Sequence, residues 1–140
     1  MVSLQVQESL SEPDDDGVVY VHLEIGDQLE HGYLDGALGS RAALEEVVSD
    51  DDVELPSTTA LTCAFLEIVF VGPRQRGQKR GTALLDRFVA IARQQGMEEI
   101  VLKVSYDYQD DDLVGWYRRF GFNVVPGDEE ESEPRMMLRL

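Results

Sequence analysis

The sequence has little cysteine and no long apolar run, and each shortage excludes a class of protein. A single cysteine, Cys63, excludes an internal disulfide and is typical of a reducing compartment. No apolar segment reaches the roughly 18 residues that a membrane-spanning helix needs. The first residues, Met-Val-Ser-Leu-Gln-Val, do not have the pattern of a signal peptide. We therefore expect a cytoplasmic protein that does not enter a membrane.

Basic residues are also scarce, because 12 Lys and Arg stand against 28 Asp and Glu, for a net charge of −16. Such a surface does not favour direct binding of nucleic acid, since phosphate contacts need a basic face. It would attract a cationic substrate. Solubility, or adaptation to high salt with two lysines against ten arginines, accounts for the same composition. The composition alone leaves these alternatives open.

The 140 residues, of which 43% are hydrophobic, are enough for one globular domain, residues 1–140. A strand–helix–strand unit in the second half predicts a parallel pair of strands. Ser40 is the expected N-cap of the first helix, and Gly96 the expected end of the second. Helices are predicted at 41–48, from Gly81 up to the end that Gly96 marks, and at 113–120. Strands are predicted at 2–6, 18–25, briefly around Tyr33, 60–71 (buried on both faces), 100–104, 122–125 and 135–140.

A basic loop stands out against this acidic background, because four of the 12 basic residues fall within seven positions, at 74–80. The loop lies between an apolar strand and an amphipathic helix. Backbone N–H groups at a helix start, surrounded by cations, form an anion site that suits phosphate. The run 72–79 also approximates a P-loop, but no Ser or Thr follows Lys79 to hold magnesium.

Three segments, in this order and spacing, resemble the GNAT superfamily of acetyl-CoA-dependent N-acetyltransferases over about residues 61–140. The loop and helix start, 76–85, is similar to the family's Arg-x-x-Gly-x-Gly pattern with its following leucines. Residues 116–122, Trp-Tyr-Arg-Arg-Phe-Gly-Phe, are similar to its aromatic-Tyr-x-x-x-Gly-Phe motif. Residues 67–70, Glu-Ile-Val-Phe, resemble the catalytic strand of the histone-acetyltransferase branch.

The resemblance implies an α/β (α+β) fold: a mixed, mostly antiparallel sheet with helices on both faces and a splayed parallel strand pair. It implies acetyl-CoA as co-substrate and no metal. The pantetheine arm would pair with the strand backbone at Val69 and Val71. The loop would hold the pyrophosphate. The cofactor-binding residues that the resemblance implies in this region are Arg74, Arg76, Gly77, Gln78, Lys79, Arg80, Gly81 and Thr82.

The implied reaction is direct transfer of an acetyl group to a primary amine in a ternary complex. The amine must lose a proton before it attacks, and Glu67, the sole charge in its strand, is the candidate base. The alternative for Glu67 is a place at a strand bulge or in an arginine pair. Tyr117 is the candidate acid for the leaving thiolate, and its alternative is a core aromatic. The acceptor stays open between a protein lysine, a polyamine and an aminoglycoside-like amine.

Two rival functions remain. Lys79 takes the place of the family's middle glycine, and Asp110 that of a coenzyme-contacting Asn, as expected of a non-catalytic module that binds acyl-CoA. The charge of −16 instead suits an acidic interaction protein that mimics nucleic acid. Cys63 is expected in the core, and His22 and His31 lack clustered partners for a metal. We expect a monomer or a homodimer.

Overall fold

Within the residues that the computed structural model describes (5–26, 31–71, 80–105 and 113–140), seven strands form one sheet in the order β1-β2-β3-β4-β5-β7-β6. Three helices complete the fold. None of these described helices is long and apolar enough to cross a membrane. The strands are β1 (Gln7–Leu10), β2 (Val19–Gly26), β3 (His31–Ser40), β4 (Thr62–Val71), β5 (Glu99–Lys103), β6 (Asn123–Val124) and β7 (Arg135–Arg139). The helices are α1 (Arg41–Ser49), α2 (Arg80–Gln94) and α3 (Leu113–Arg119).

The pairing of the strands gives the mixed sheet that the sequence predicts. Strands β1 to β4 are antiparallel neighbours, as are β5 with β7 and β7 with β6. Among the strands of the described residues, only β4 and β5 run parallel, and α2 makes the crossover between them. A parallel pair needs such a crossover because its two strands start at the same end of the sheet. The GNAT-like fold class is therefore confirmed.

Helices cover the two faces of the sheet differently. On one face, which we call the α2 face, the apolar stripe of α2 packs against buried residues of β2 to β5. On the opposite α1 face, α1 and the segment after it form a smaller core that includes Leu44, Val48, Cys63 and Phe65. Side chains alternate along β2, so Val21, Leu23 and Ile25 face α2. Tyr20, His22 and Glu24 consequently lie on the α1 face.

The residues predicted to begin and end the helices are found at the helix ends. The Ser40 hydroxyl accepts a hydrogen bond from the Ala43 amide at the start of α1, at 3.2 Å. Gly96 and Gly121 follow α2 and α3 with φ of 79° and 99°, a region that favours glycine. Both ends therefore follow from local sequence.

The structure bears differently on two strand predictions for the N-terminal half. The predicted first strand, 2–6, falls mostly outside the described residues, and β1 begins at Gln7. The short strand around Tyr33 is in fact the ten-residue β3. Its glycines conceal the strand pattern, yet they are needed because helices pack closely there.

The prediction that 60–71 is buried on both faces is correct only for the first part of β4. Residues 63–66 are buried, whereas Glu67 is exposed and residues 68–70 are half-buried. The reason is that β4 continues past the pairing with β5. This uncovered part of β4 is where the candidate site lies.

Candidate functional site

Glu67 is the extra residue of a β-bulge in β4. Asp35 of β3 lies opposite Ile68, and the next residue, Gly36, lies opposite Leu66, so Glu67 has no counterpart in the register. A bulge bends its strand and redirects one side chain. Here it leaves Glu67 exposed in a strand that is otherwise buried up to Leu66.

The parallel pair separates at the same point. Registered pairing of β4 with β5 ends at Leu66 and Leu102. Beyond it, the Val104 amide donates to the Pro134 carbonyl at 2.9 Å, so the chain after β5 follows the β7 side. In the register, residues 68–71 of β4 lie opposite β3, and the pairing with β5 does not continue past Leu66. The backbone at Val69 and Val71 therefore borders an opening in the sheet.

A cavity of about 290 Å³ lies beside the bulge and contains both carboxylate and hydroxyl groups. Strands β1 to β4 all contribute to its wall. The lining side chains that matter chemically are Ser9, Ser11, Tyr20, His22, Asp35 and Glu67. The Ser11 hydroxyl accepts a hydrogen bond from the Tyr20 amide at 2.8 Å and fixes this end of β1. The cavity thus joins the predicted base to polar groups from the neighbouring strands.

Although Glu67 is exposed overall, the surrounding protein removes part of the water around its carboxyl group. This desolvation raises the pKa of Glu67 above its usual value, and the negative charges of Asp51 and Asp35 add to the effect. Asp51 lies in the turn after α1, and Asp35 lies across the strand pair. A carboxylate with a raised pKa is a better proton acceptor than a free glutamate. The alternative prediction, that Glu67 lies at a strand bulge, is therefore correct. It is compatible with the other prediction, because a general base also needs a raised pKa.

His22 is held between two carboxylates on the α1 face. Its Nδ1 lies 2.5 Å from Asp35 Oδ1, and its Nε2 lies 2.8 Å from Glu24 Oε1. The hydrogen bonds to Glu24 and then Asp35 raise the pKa of His22 above 6.5. An imidazole that donates from both nitrogens is the protonated form. The ring also stacks on Tyr33, with centroids 6.2 Å apart.

Tyr117 lies in α3, where its ring packs edge-on against Trp116 and Phe122, with centroids at 5.0 and 5.8 Å. The residue is buried, and burial raises the pKa of its hydroxyl to about 12. The hydroxyl is therefore protonated at neutral pH, as a proton donor must be. Its packing is also that of a core aromatic, so both predicted interpretations of Tyr117 describe the same side chain.

The predicted phosphate loop falls largely outside the described residues, as does Asp110. This applies to the predicted cofactor contacts Arg74, Arg76, Gly77, Gln78 and Lys79. The two ends of the loop are described. Strand β4 ends at Val71, and α2 begins at Arg80, which is buried. Gly81 and Thr82 are half-buried in the first turn of α2. The loop therefore connects the uncovered part of β4 with a helix start.

Sequence reasoning missed the part that β2 and β3 contribute. It treated His22 only as a metal ligand without partners and did not single out Asp35 or Tyr20. The alternation along β2 places His22 and Tyr20 on one face, but only the pairing register brings Asp35 beside them. Cys63, in contrast, is buried as expected, and burial raises the pKa of its thiol to about 11.

Comparison with known proteins gives one family. The model of the acetyltransferase (GNAT) family matches residues 14–122 of this chain. No curated protein matches the chain significantly in sequence. The match covers most of the described sheet together with α1, α2 and α3.

Solved structures with the same fold are distant in sequence. One is the PaiA N-acetyltransferase from Thermoplasma acidophilum in complex with coenzyme A, with a TM-score of 0.57 at 19% identity. The alignment covers 86% of this chain and 61% of that protein, so this chain spans less than two thirds of its length. Another is a protein from Klebsiella pneumoniae described as an acyl-CoA N-acyltransferase, with a TM-score of 0.59 at 15% identity. There the coverage is 96% of this chain and 97% of the other.

Proposed function

The chain belongs to the GNAT family of acetyltransferases, and from that premise we propose that it transfers an acetyl group from acetyl-CoA to a primary amine. The observation that carries the proposal is the separation of β4 from β5 at the Glu67 bulge. This separation creates an opening between β4 and β5, next to the cavity that Glu67, the candidate base, lines. Residues 1–140 would act as one domain.

The opening suits the pantetheine arm of coenzyme A. On the side of β4 away from β3, the registered pairing with β5 ends at Leu66, before Val69 and Val71 are reached. An extended molecule that carries amide groups can pair there as an added strand does. The backbone at Val69 and Val71 would make these hydrogen bonds.

The start of α2 suits the pyrophosphate. The first turn carries Arg80, Gly81 and Thr82, at the positive end of a 15-residue helix. The basic loop before it would supply the remaining contacts, as the family pattern implies, through Arg74, Arg76, Gly77, Gln78 and Lys79.

Two side chains would handle the protons of the reaction. Acetyl-CoA supplies the acetyl group as a thioester, so one C–N bond forms and one C–S bond breaks in a direct transfer. Glu67 would accept the proton that the acceptor ammonium loses, directly or through water. Tyr117 would face the sulfur as negative charge develops. Because a thiol has a pKa of about 8.5, below that of Tyr117, the hydroxyl acts mainly as a hydrogen-bond donor.

The acceptor would be cationic. The protein carries a net charge of −16, and the cavity wall includes Asp35 and Glu67. A field of this sign raises the local concentration of a protonated amine. A protein lysine and a small polyamine both meet this description.

The proposal is tested by measuring release of free thiol from acetyl-CoA across a panel of amines, with mass spectrometry of the product. We expect amine-dependent thiol release and an increase of 42 Da, roughly one acetyl group, in the acceptor (C₂H₂O gained). An acetylated protein that, once freed of acetyl-CoA, passes its acetyl group to added amine would contradict direct transfer. Absence of turnover with every amine, while coenzyme A binds, would favour the non-catalytic module.

Tyr117→Phe should lower kcat by about 10- to 100-fold, the value of one hydrogen bond to a developing charge. KM for acetyl-CoA should change little, because the ring and its packing against Trp116 and Phe122 remain. Steady-state kinetics on a variant whose melting temperature matches the parent gives the measurement. Unchanged kcat would make Tyr117 a core residue only.

A further inference from the structure

Building on the proposed N-acetyltransferase function, we propose that His22 is a positioning residue of the transfer reaction. Its imidazolium, held between Asp35 and Glu24, neutralises the carboxylate that faces Glu67 and so keeps Glu67 ionised and ready to accept a proton. The role is electrostatic, and His22 acts through Asp35 rather than on the substrate.

The geometry of the cluster supports this role. Asp35 has one neighbour on each side along the α1 face: His22 across the β2–β3 pair and Ile68, next to Glu67, across the β3–β4 pair. Its Oδ1 is 2.5 Å from His22 Nδ1. His22, Asp35 and Glu67 all line the same cavity. A charge change at His22 is therefore transmitted to Glu67 through a single carboxylate.

The sign of the effect follows from the charges around Glu67. The Asp35 carboxylate raises the pKa of Glu67, because two like charges share the cavity. A cation on Asp35 offsets that repulsion. Without it, more Glu67 is protonated at low pH and less base is available.

Several groups face His22 from the elements around it, and none of the others can replace its charge. Strand β1 contributes only Ser9 opposite His22. Asp51, from the turn after α1, raises the pKa of Glu67 and does not offset Asp35. The titratable side chains that surround His22 on β2 to β4 are Tyr20 and Glu24 of β2, Tyr33 and Asp35 of β3, and Glu67 of β4. Among these described groups His22 is the sole one that becomes a cation.

The two carboxylates also fix the orientation of the His22 ring. Glu24 holds Nε2 at 2.8 Å, and the ring stacks on Tyr33, which stacks in turn on Phe70 at 5.5 Å. Both ring nitrogens are thus hydrogen-bonded to carboxylates, so neither is available to accept a proton from the substrate. This arrangement distinguishes a positioning histidine from a catalytic one.

The test is a double-mutant cycle of His22→Gln and Asp35→Asn, read as kcat/KM against pH with one fixed amine. At pH values below the pKa that sets the acid side of the profile, His22→Gln should lower kcat/KM about threefold. This is the size expected for unit charges that interact near water. At high pH the two proteins should converge. In the Asp35→Asn background the His22→Gln loss should disappear, because the charge that His22 offsets is gone. The ratio of variant to parent at each pH cancels the titration of the amine itself.

Two controls separate this role from a loss of net charge or of folding. Arg93→Gln removes a positive charge from the exposed last turn of α2, on the other face of the sheet, and should leave the acid side unchanged. Imidazole NMR of the parent, which contains only His22 and His31, should show one histidine titrating above pH 6.5. That titration should fall in Glu24→Gln, which keeps His22 and Asp35 in place.

Each outcome decides a different claim. Turnover with an unchanged acid side in His22→Gln, or a loss that persists beside Asp35→Asn, overturns the role of His22 and leaves the proposed function standing. A titration of His22 at or below pH 6.5 also overturns it, even if the Gln variant does not fold. No turnover with any amine would instead remove the proposed function and the role of His22 together.

Discussion

Replacing Glu67 by Gln is expected to lower kcat by about 10²- to 10⁴-fold, the range for loss of a general base. The amide keeps the size of the side chain but cannot accept the proton of the ammonium. Because burial and the charges of Asp51 and Asp35 raise the pKa of Glu67, the acid side of the parent profile should lie above the range of a free glutamate. In Glu67→Gln that acid side should disappear. Residual activity should come from the amine that is already deprotonated, and it should rise steadily with pH.

The matched control is Glu46→Gln, the same chemical change on the exposed surface of α1. It should keep the parent rate and pH profile. Acetyl-CoA affinity should also be retained in Glu67→Gln, since the proposed cofactor contacts at this point are backbone groups. A Glu67→Gln enzyme with the parent rate and the parent acid side would remove Glu67 from the mechanism.

Gly36→Ala is expected to have the largest effect on stability among single substitutions near the site. A Cβ at Gly36 would lie 2.6 Å from Cε1 of Phe88 and 2.8 Å from the carbonyl oxygen of Phe65. The carbonyl belongs to the neighbouring strand, and the Phe88 ring is fully buried in the core, so neither can withdraw easily. We expect the free energy of unfolding to fall by about 1–3 kcal/mol or more. Urea denaturation measures it.

Gly39→Ala provides the comparison in the same strand. Its Cβ would meet Cδ2 of Leu44 at 3.1 Å, the end of a side chain that can rotate. The loss at Gly39 should be clearly smaller than at Gly36. Equal losses of unfolding free energy in the two variants would mean that the close contact between Phe88 and Gly36 is not what makes Gly36 necessary. Because Gly36 borders the Glu67 bulge, a folded Gly36→Ala protein should also lose activity.

The three helices and the strand–helix–strand unit could be predicted from sequence because their signals are local. Ser40 caps α1, glycines follow α2 and α3, and the apolar stripe of α2 marks its buried side. The strand–helix–strand order then requires a parallel pair. These features depend on residues within a few positions of one another, so they can be read without knowing the partner strands.

The cavity could not be predicted, because it depends on strand register. Nothing in the sequence near Glu67 shows that β3 skips one residue of β4 between Asp35 and Gly36. His22 and Asp35 are 13 positions apart, and only antiparallel pairing places them side by side. Gly36, one of the glycines that make β3 hard to recognise, is also the residue that lets Phe88 approach the sheet.

The most direct test of the central claim is the melting temperature of the protein with acetyl-CoA, compared with acetate and with adenosine as separate controls. A ligand that binds the native state stabilises it by about 2.7 kcal/mol at 100 times its Kd, so we expect a rise of several degrees. Acetate alone should give no rise, and adenosine less than the whole coenzyme. An unchanged melting temperature at millimolar acetyl-CoA would contradict the account and favour an acidic interaction protein.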